Sequence, residues 1–104
     1  MAIRVTNENF EEDVLKAKIP TAVEFYSDSC IPCKQMAAVL GELEEEYEGK
    51  IKILKVNVSF SPELVEQYKV MAAPTIILFK AEKEVKRLVG LTKKAVLQEI
   101  FDYI

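Results

Sequence analysis

Two cysteines with two residues between them, Cys30 and Cys33 in the stretch YSDSCIPCKQM, are the only two in a chain that has no histidine. A pair at this spacing can be a redox couple, half of a metal site, or coincidence. A structural zinc ion takes four Cys or His ligands, so only a site shared between two chains could complete the set. A purely structural cross-link is a poor reading, because so short a loop removes little entropy from the unfolded chain. The redox reading depends on placement. If Cys30 stands at the start of the helix that follows, unpaired N–H groups and partial positive charge stabilise a thiolate there. In Cys-X-X-Cys pairs so placed the thiol pKa falls from about 8.5 to roughly 3.5–7.5. Two residues within a first helical turn also bring the sulfurs into disulfide reach, the first turned outward and the second inward. Cys30 is then the nucleophile toward a partner's disulfide, and Cys33 resolves the mixed disulfide by attacking Cys30. Pro32 fixes φ near the helix start, where its missing N–H costs nothing. Lys34 adds a nearby positive charge, whereas Asp28 opposes thiolate formation.

The elements that must hold this pair follow from apolar periodicity. AIRV (Ala2–Val5) reads as a short strand. TNENFEEDVLKA reads as a helix capped by Thr6 or Asn7, with Phe10 and Val14 on its inner face. TAVEFYS (Thr21–Ser27) is β-branched and aromatic, hence a strand. From about Cys30 to Tyr47 the spacing is helical, through Met36, Leu40, Leu43 and Tyr47, and Gly49 closes the segment. KIKILKVNV (Lys50–Val58) alternates as a strand. SPELVEQYKV reads as a short helix with Ser61 as cap and Pro62 in its first position. PTIILFK (Pro74–Lys80) and EVKRLVG (Glu84–Gly90) are strands so closely spaced across AEKE that they form an antiparallel hairpin. Thr92 caps a last helix with Leu97, Ile100, Phe101 and Ile104 on one stripe.

The order βαβαβαββα implies an α/β fold in one domain, residues 1–104. Its central mixed sheet of about five strands is flanked by four helices on both faces. Glu24 interrupts AVEFY at its middle. A strand covered on both faces buries that carboxyl, and an unpaired buried carboxylate is costly; the alternative is a solvated face near the strand's end.

Composition excludes several classes. At 104 residues, half of them hydrophobic and 30% charged, the chain can bury a core without cross-links. The net charge of −3, with acids and bases interspersed, is not a nucleic-acid footprint. No apolar run approaches the roughly 20 residues of a membrane span. MAIRVTNENFEED shows no apolar export signal, so the expected location is the cytoplasm, where cysteine pairs are catalytic or metal-binding more often than structural. The acids of GELEEEYEGK read as a solvated helix face.

VEFYSDSCIPCKQM resembles the active-site segment of thioredoxins, and AAPTIILFK resembles their second signature, whose proline is cis and faces the cysteines. KVNV and LVG fall at matching places, and the resemblance runs from about Ile3 to Ile104. It implies a thioredoxin fold, Cys30 as attacking thiol, Cys33 as buried resolving thiol and Pro74 as the cis-proline. It places Glu24 where the family has a buried aspartate that moves a proton to and from the resolving thiol. Burial raises such a group's proton affinity by disfavouring its charged form. It also matches Lys55, which ends the row Ile51, Ile53, Lys55 on the next strand, to a lysine able to pair with that acid; otherwise Lys55 snorkels to the sheet edge. The substrate surface so implied comprises Ser29, Ile31, Pro32, Ala73, Pro74, Gly90 and Leu91. Ala73 offers its backbone to an extended substrate, and Gly90 leaves room for a close approach or simply turns the chain.

The chain departs from the family pattern in places. Ser29 and Tyr26 stand where the family has tryptophans, Ile31 where it has glycine, and Ala38, near Gly41, where it has a kinking proline. These changes bear on partner docking more than on bond chemistry. Pro32 supplies no positive charge where disulfide-forming and isomerising relatives carry histidine, which favours a reductant. Glutaredoxins have proline first in the dipeptide, not second.

The expected function is thiol–disulfide oxidoreduction on protein substrates through a Cys30–Cys33 couple. No bound cofactor or metal is expected, and an external thioredoxin reductase, NADPH- or ferredoxin-linked, restores the dithiol. The expected state is a monomer without nucleic-acid or membrane partners. The rivals are a specialised redoxin serving one partner or an unusual reductase, and a non-catalytic binding module on the same fold.

Overall fold

The computed structural model describes residues 3–104. Its elements run β1 (Ile3–Arg4), a π-helical turn (Glu11–Leu15), β2 (Thr21–Tyr26), α1 (Ile31–Glu46), β3 (Lys52–Asn57), α2 (Pro62–Gln67), β4 (Thr75–Lys80), β5 (Lys83–Val89) and α3 (Lys94–Tyr103). The strand expected over Ala2–Val5 is thus seen as Ile3–Arg4, and Ala2 lies outside the described residues. The strands form one mixed sheet in the order β1-β3-β2-β4-β5. β1, β3 and β2 are parallel, whereas β4 runs antiparallel to both β2 and β5. This is the α/β architecture expected from the element order.

Alternation along the strands divides the core between the two faces. Val23, Phe25, Leu54, Val56, Ile77 and Phe79 point to one side, where Phe10, Val14 and Leu64 cover them. Ala22, Ile53, Ile76 and Leu78 point to the other, under Met36, Leu40 and Leu43 of α1 and Leu97 and Phe101 of α3. β2 sits mid-sheet, so five of its six residues are buried, among them Glu24 at 5% exposure.

Local polar chemistry moved several helix starts. The first helix does not open on a Thr6 or Asn7 cap. Asn9 Oδ1 accepts from the Thr6 backbone N–H (2.7 Å) and hydroxyl (3.3 Å), closing a turn that delays the helix to Phe10. Its bonds then reach five residues, as from Lys16 N–H to Glu11 O (2.9 Å). Thr92 is not the cap of α3 either: Lys93 holds that position, and the Thr92 hydroxyl donates back to Gly90 O at 3.3 Å. Ser61 does precede Pro62 as α2's N-cap residue, yet its buried hydroxyl makes no capping bond. The β4–β5 hairpin turns tightly through Ala81 and Glu82, with φ of 52° and 68°. Positive φ at both central positions is what a type I′ hairpin turn requires, and here no glycine supplies it.

Candidate active site

Cys30 is the N-cap of α1, in extended conformation, and its sulfur accepts from the Cys33 backbone N–H at 3.1 Å. The helix therefore begins at Ile31, one residue after the first cysteine, and Pro32 occupies its first turn, where no partner for a proline N–H is missing. Cys30 and Cys33 are joined as a disulfide, with Cα atoms 5.2 Å apart. Cys30 is partly exposed, whereas Cys33 is buried at 4% exposure because it faces the sheet. The outer sulfur is the one a partner can reach.

Two further segments come to this helix end. Ala73–Pro74 is a cis peptide, Pro74 is buried, and the Ala73 carbonyl oxygen lies 3.5 Å from Cys30 Sγ. The Gly90 N–H donates to Pro74 O at 2.8 Å, tying the β5–α3 loop to the proline loop. Gly90 has φ +88° with open space where a Cβ would stand, so glycine here serves both the turn and a clear surface. The Thr92 N–H in turn donates to the buried Met36 Sδ at 3.4 Å, linking that loop to α1. Ser29, Ile31 and Pro32, which flank Cys30 in sequence, are exposed, Ile31 at 69%, and so is Leu91, next to Gly90.

Beneath the disulfide is a pocket of about 180 Å³ that Glu24, Tyr26, Cys33 and Lys55 line together with Asp28 and Lys34. A pocket of this size, bordered by carboxyl, hydroxyl and ammonium groups, has room for a few water molecules, each taking about 30 Å³. Glu24 comes from mid-β2, and burial pushes its carboxyl up to about 7 from 4.5, the charge of Lys55 drawing it partly back. Of the two readings of Lys55, a pair with Glu24 or a stem reaching past it, the direct pair is not the one formed. Glu24 and Lys55 are register partners across β2 and β3, but Lys55 Nζ lies over the Tyr26 ring, 5.4 Å from its centroid. Glu24 Oε2 is buried without a hydrogen-bond partner. Asp28 accepts from Asn57 Nδ2 at 3.4 Å.

A nucleophilic sulfur at a helix N-terminus, a second sulfur within bonding distance, and a proton-binding carboxyl in the pocket below suit one reaction, dithiol–disulfide exchange. A family model described as Thioredoxin matches residues 1–103. The chain belongs to the thioredoxin family. Curated relatives agree: a protein named Thioredoxin 1 from Nostoc sp. is 36% identical over 97% of this chain and 94% of its own length. A Thioredoxin from Rickettsia bellii is 37% identical over 95% and 94%. Thioredoxin C-2 from Corynebacterium nephridii is 38% identical over 96% and 93%. The protein is accordingly a thioredoxin-type dithiol–disulfide oxidoreductase, and the family's chemistry calls for disulfide substrates and a reductase partner. Among the described residues no helix is long and apolar enough to cross a membrane, and no cluster of three or more His, Cys, Asp or Glu could hold a metal ion.

Two features escaped the sequence reading. Met71, three residues before Pro74, is 94% exposed and lines a second pocket with Val58, Val65, Val70, Ala72 and Ala73. A methionine three places ahead of a proline carries no local signal of exposure. The contact of Lys55 with Tyr26 depends on a rotamer choice that residue spacing does not encode.

Proposed function

We propose that the protein acts in the cytoplasm as a single-domain, monomeric reductant of disulfides in other proteins, re-reduced by an NADPH- or ferredoxin-linked thioredoxin reductase. The redox group is its own Cys30–Cys33 pair, with no bound cofactor. The observation that carries this reading is the Cys33 N–H aimed at Cys30 Sγ, a donor suited to the thiolate. In the reduced form the Cys30 thiolate attacks a substrate sulfur. The substrate S–S bond breaks, its first thiolate leaves and takes a proton, and a mixed disulfide remains. Glu24, as carboxylate, accepts the Cys33 proton across the shared pocket. The Cys33 thiolate then attacks Cys30 Sγ, the second substrate thiolate leaves, and the Cys30–Cys33 disulfide forms. Two electrons have passed to the substrate. Ala73 lends its backbone to an extended substrate segment, and Pro74, Pro32, Gly90 and Leu91 form the wall beside it.

Insulin reduction by dithiothreitol tests the function. The wild-type protein should accelerate it and Cys30→Ser should not; full activity in that variant would defeat the redox reading in favour of a binding module. Glu24→Gln should slow resolution of the mixed disulfide by about 10²–10⁴-fold, the usual range for losing a positioned proton acceptor. A narrower role, serving one partner or one reductase, is favoured by Ile31, Leu91 and Met71, which leave 69%, 57% and 94% of their surfaces exposed. Turnover with NADPH and a panel of reductases would separate the two, since a narrow redoxin should couple to one reductase only.

A further inference from the structure

Glu24 and Lys55 are neighbours in register on parallel strands, so their side chains leave the same face of the sheet from backbones about 5 Å apart. A lysine stem spans that gap easily, and a direct ion pair would be ordinary. Instead the Lys55 ammonium lies 5.4 Å from the centroid of the Tyr26 ring, and Glu24 Oε2 is buried without a partner. Tyr26 follows Glu24 by two residues in β2 and therefore shares its face, diagonal to Lys55. All three side chains border the pocket that also contains Cys33.

We propose that Tyr26 is a positioning residue for the proton transfer: its ring holds the Lys55 ammonium away from Glu24, so that the carboxyl is left free to exchange a proton with Cys33. The negative face of an aromatic ring attracts an ammonium, more strongly when both are partly shielded from water. An ammonium in direct contact with Glu24 would hold it ionised and make it a weak base, and a weak base does not draw a proton from a thiol near neutral pH. The remaining charges facing the pocket do not compete for this role. Asp28, from the loop before α1, is engaged by Asn57, and of the two lysines lining the pocket it is Lys55, not Lys34 of α1, whose charge acts on the Glu24 carboxyl. From β4 the register partner of Glu24 is the apolar Ile76. Lys55 is therefore the cation on the strand beside Glu24, and Tyr26 sets where it rests.

This inference rests on Glu24 handling the Cys33 proton, and the test separates the two. Tyr26 is replaced by phenylalanine, by leucine, and by 3,4,5-trifluorophenylalanine, which keeps the ring's shape while weakening its negative face. Each replacement is made alone and together with Lys55→Met. The Glu24 carboxyl is titrated by 13C NMR in the oxidised protein, where the cysteines do not titrate, and resolution of a mixed disulfide is followed against pH. Tyr26→Phe should leave the Glu24 midpoint in place. The fluorinated ring and Tyr26→Leu should lower it by about half a unit to one unit, the span a cation–π contact can carry, and shift the rate profile the same way. With Lys55→Met the ring should no longer matter. Equal midpoints with the plain and fluorinated rings, or an undiminished drop in the Lys55→Met background, would overturn the proposal. A rate indifferent to Glu24→Gln would instead remove the underlying role of Glu24, whatever the ring does to its midpoint.

Discussion

At the scale of single residues, the buried carboxyl of Glu24 has a cost that pH reveals. Its folded value of about 7 stands above the ordinary 4.5, so between these limits the folded state binds a proton that the unfolded chain has released. Stability contributed by that proton is fully present below about 4.5 and is lost as pH rises through 7. At about 1.4 kcal/mol per unit, the loss is on the order of 3 kcal/mol. Urea unfolding of the oxidised protein across pH 4.5–8.5 should show this decline, and Glu24→Gln, which imitates the protonated acid, should flatten it. Identical slopes in the two proteins would mean that the carboxyl is not desolvated. Ser29 and Ile31 belong to the same scale but to another property, partner choice. Ile31 presents most of its surface to solvent one residue from the reactive sulfur. A Ser29→Trp, Ile31→Gly double variant should change relative kcat/KM between two reductases or two protein substrates by about tenfold, the effect of burying one such side chain. Unchanged preferences would make the dipeptide neutral. The chemistry of Cys30 and Cys33 was legible in the sequence because it needs only short-range spacing and a helix start. The resting place of Lys55 was not, since two acceptable partners, Glu24 and Tyr26, lie within reach of one flexible stem.

Among the elements, α1 carries the site and also a weakness. Gly41 lies in its interior, where a Cβ would meet nothing within 4 Å. Glycine there is unfavourable by about 1 kcal/mol relative to alanine. Gly41→Ala should therefore raise the melting temperature by about 4–8 °C, with insulin reduction unchanged; a fall would show that the helix needs to give at this point. The order of elements was legible because strand and helix periods alternate cleanly along the chain, as in AVEFY against Met36, Leu40 and Leu43. Element starts were less so. Thr6 and Thr92 are both good capping residues by type, yet the hydroxyl of each donates within a neighbouring turn. The preference for a cap is local, whereas the loop that uses it up is fixed by distant contacts such as Thr92 with Met36.

For the molecule as a whole, the disulfide is an accessory to stability. It closes a loop with a sequence separation of 3, for which chain entropy predicts about 2 kcal/mol. The two apolar clusters of the core need no cross-link. Reduction by dithiothreitol should lower the melting temperature by several degrees while the far-UV circular dichroism at 25 °C stays native; loss of that signal would show the core depends on the bond. Sheet topology has a further consequence for motion. β2, which carries Glu24, is paired along its length by β3 on one side and β4 on the other, whereas Cys30 lies at a helix end, partly open to solvent. Backbone amides in such a central strand exchange with deuterium only when the whole molecule opens, and those at a helix end exchange through small local openings. The sulfur can thus pass through its cycle of partners in the part of the protein that opens fastest, while the proton it depends on is kept in the part that opens last.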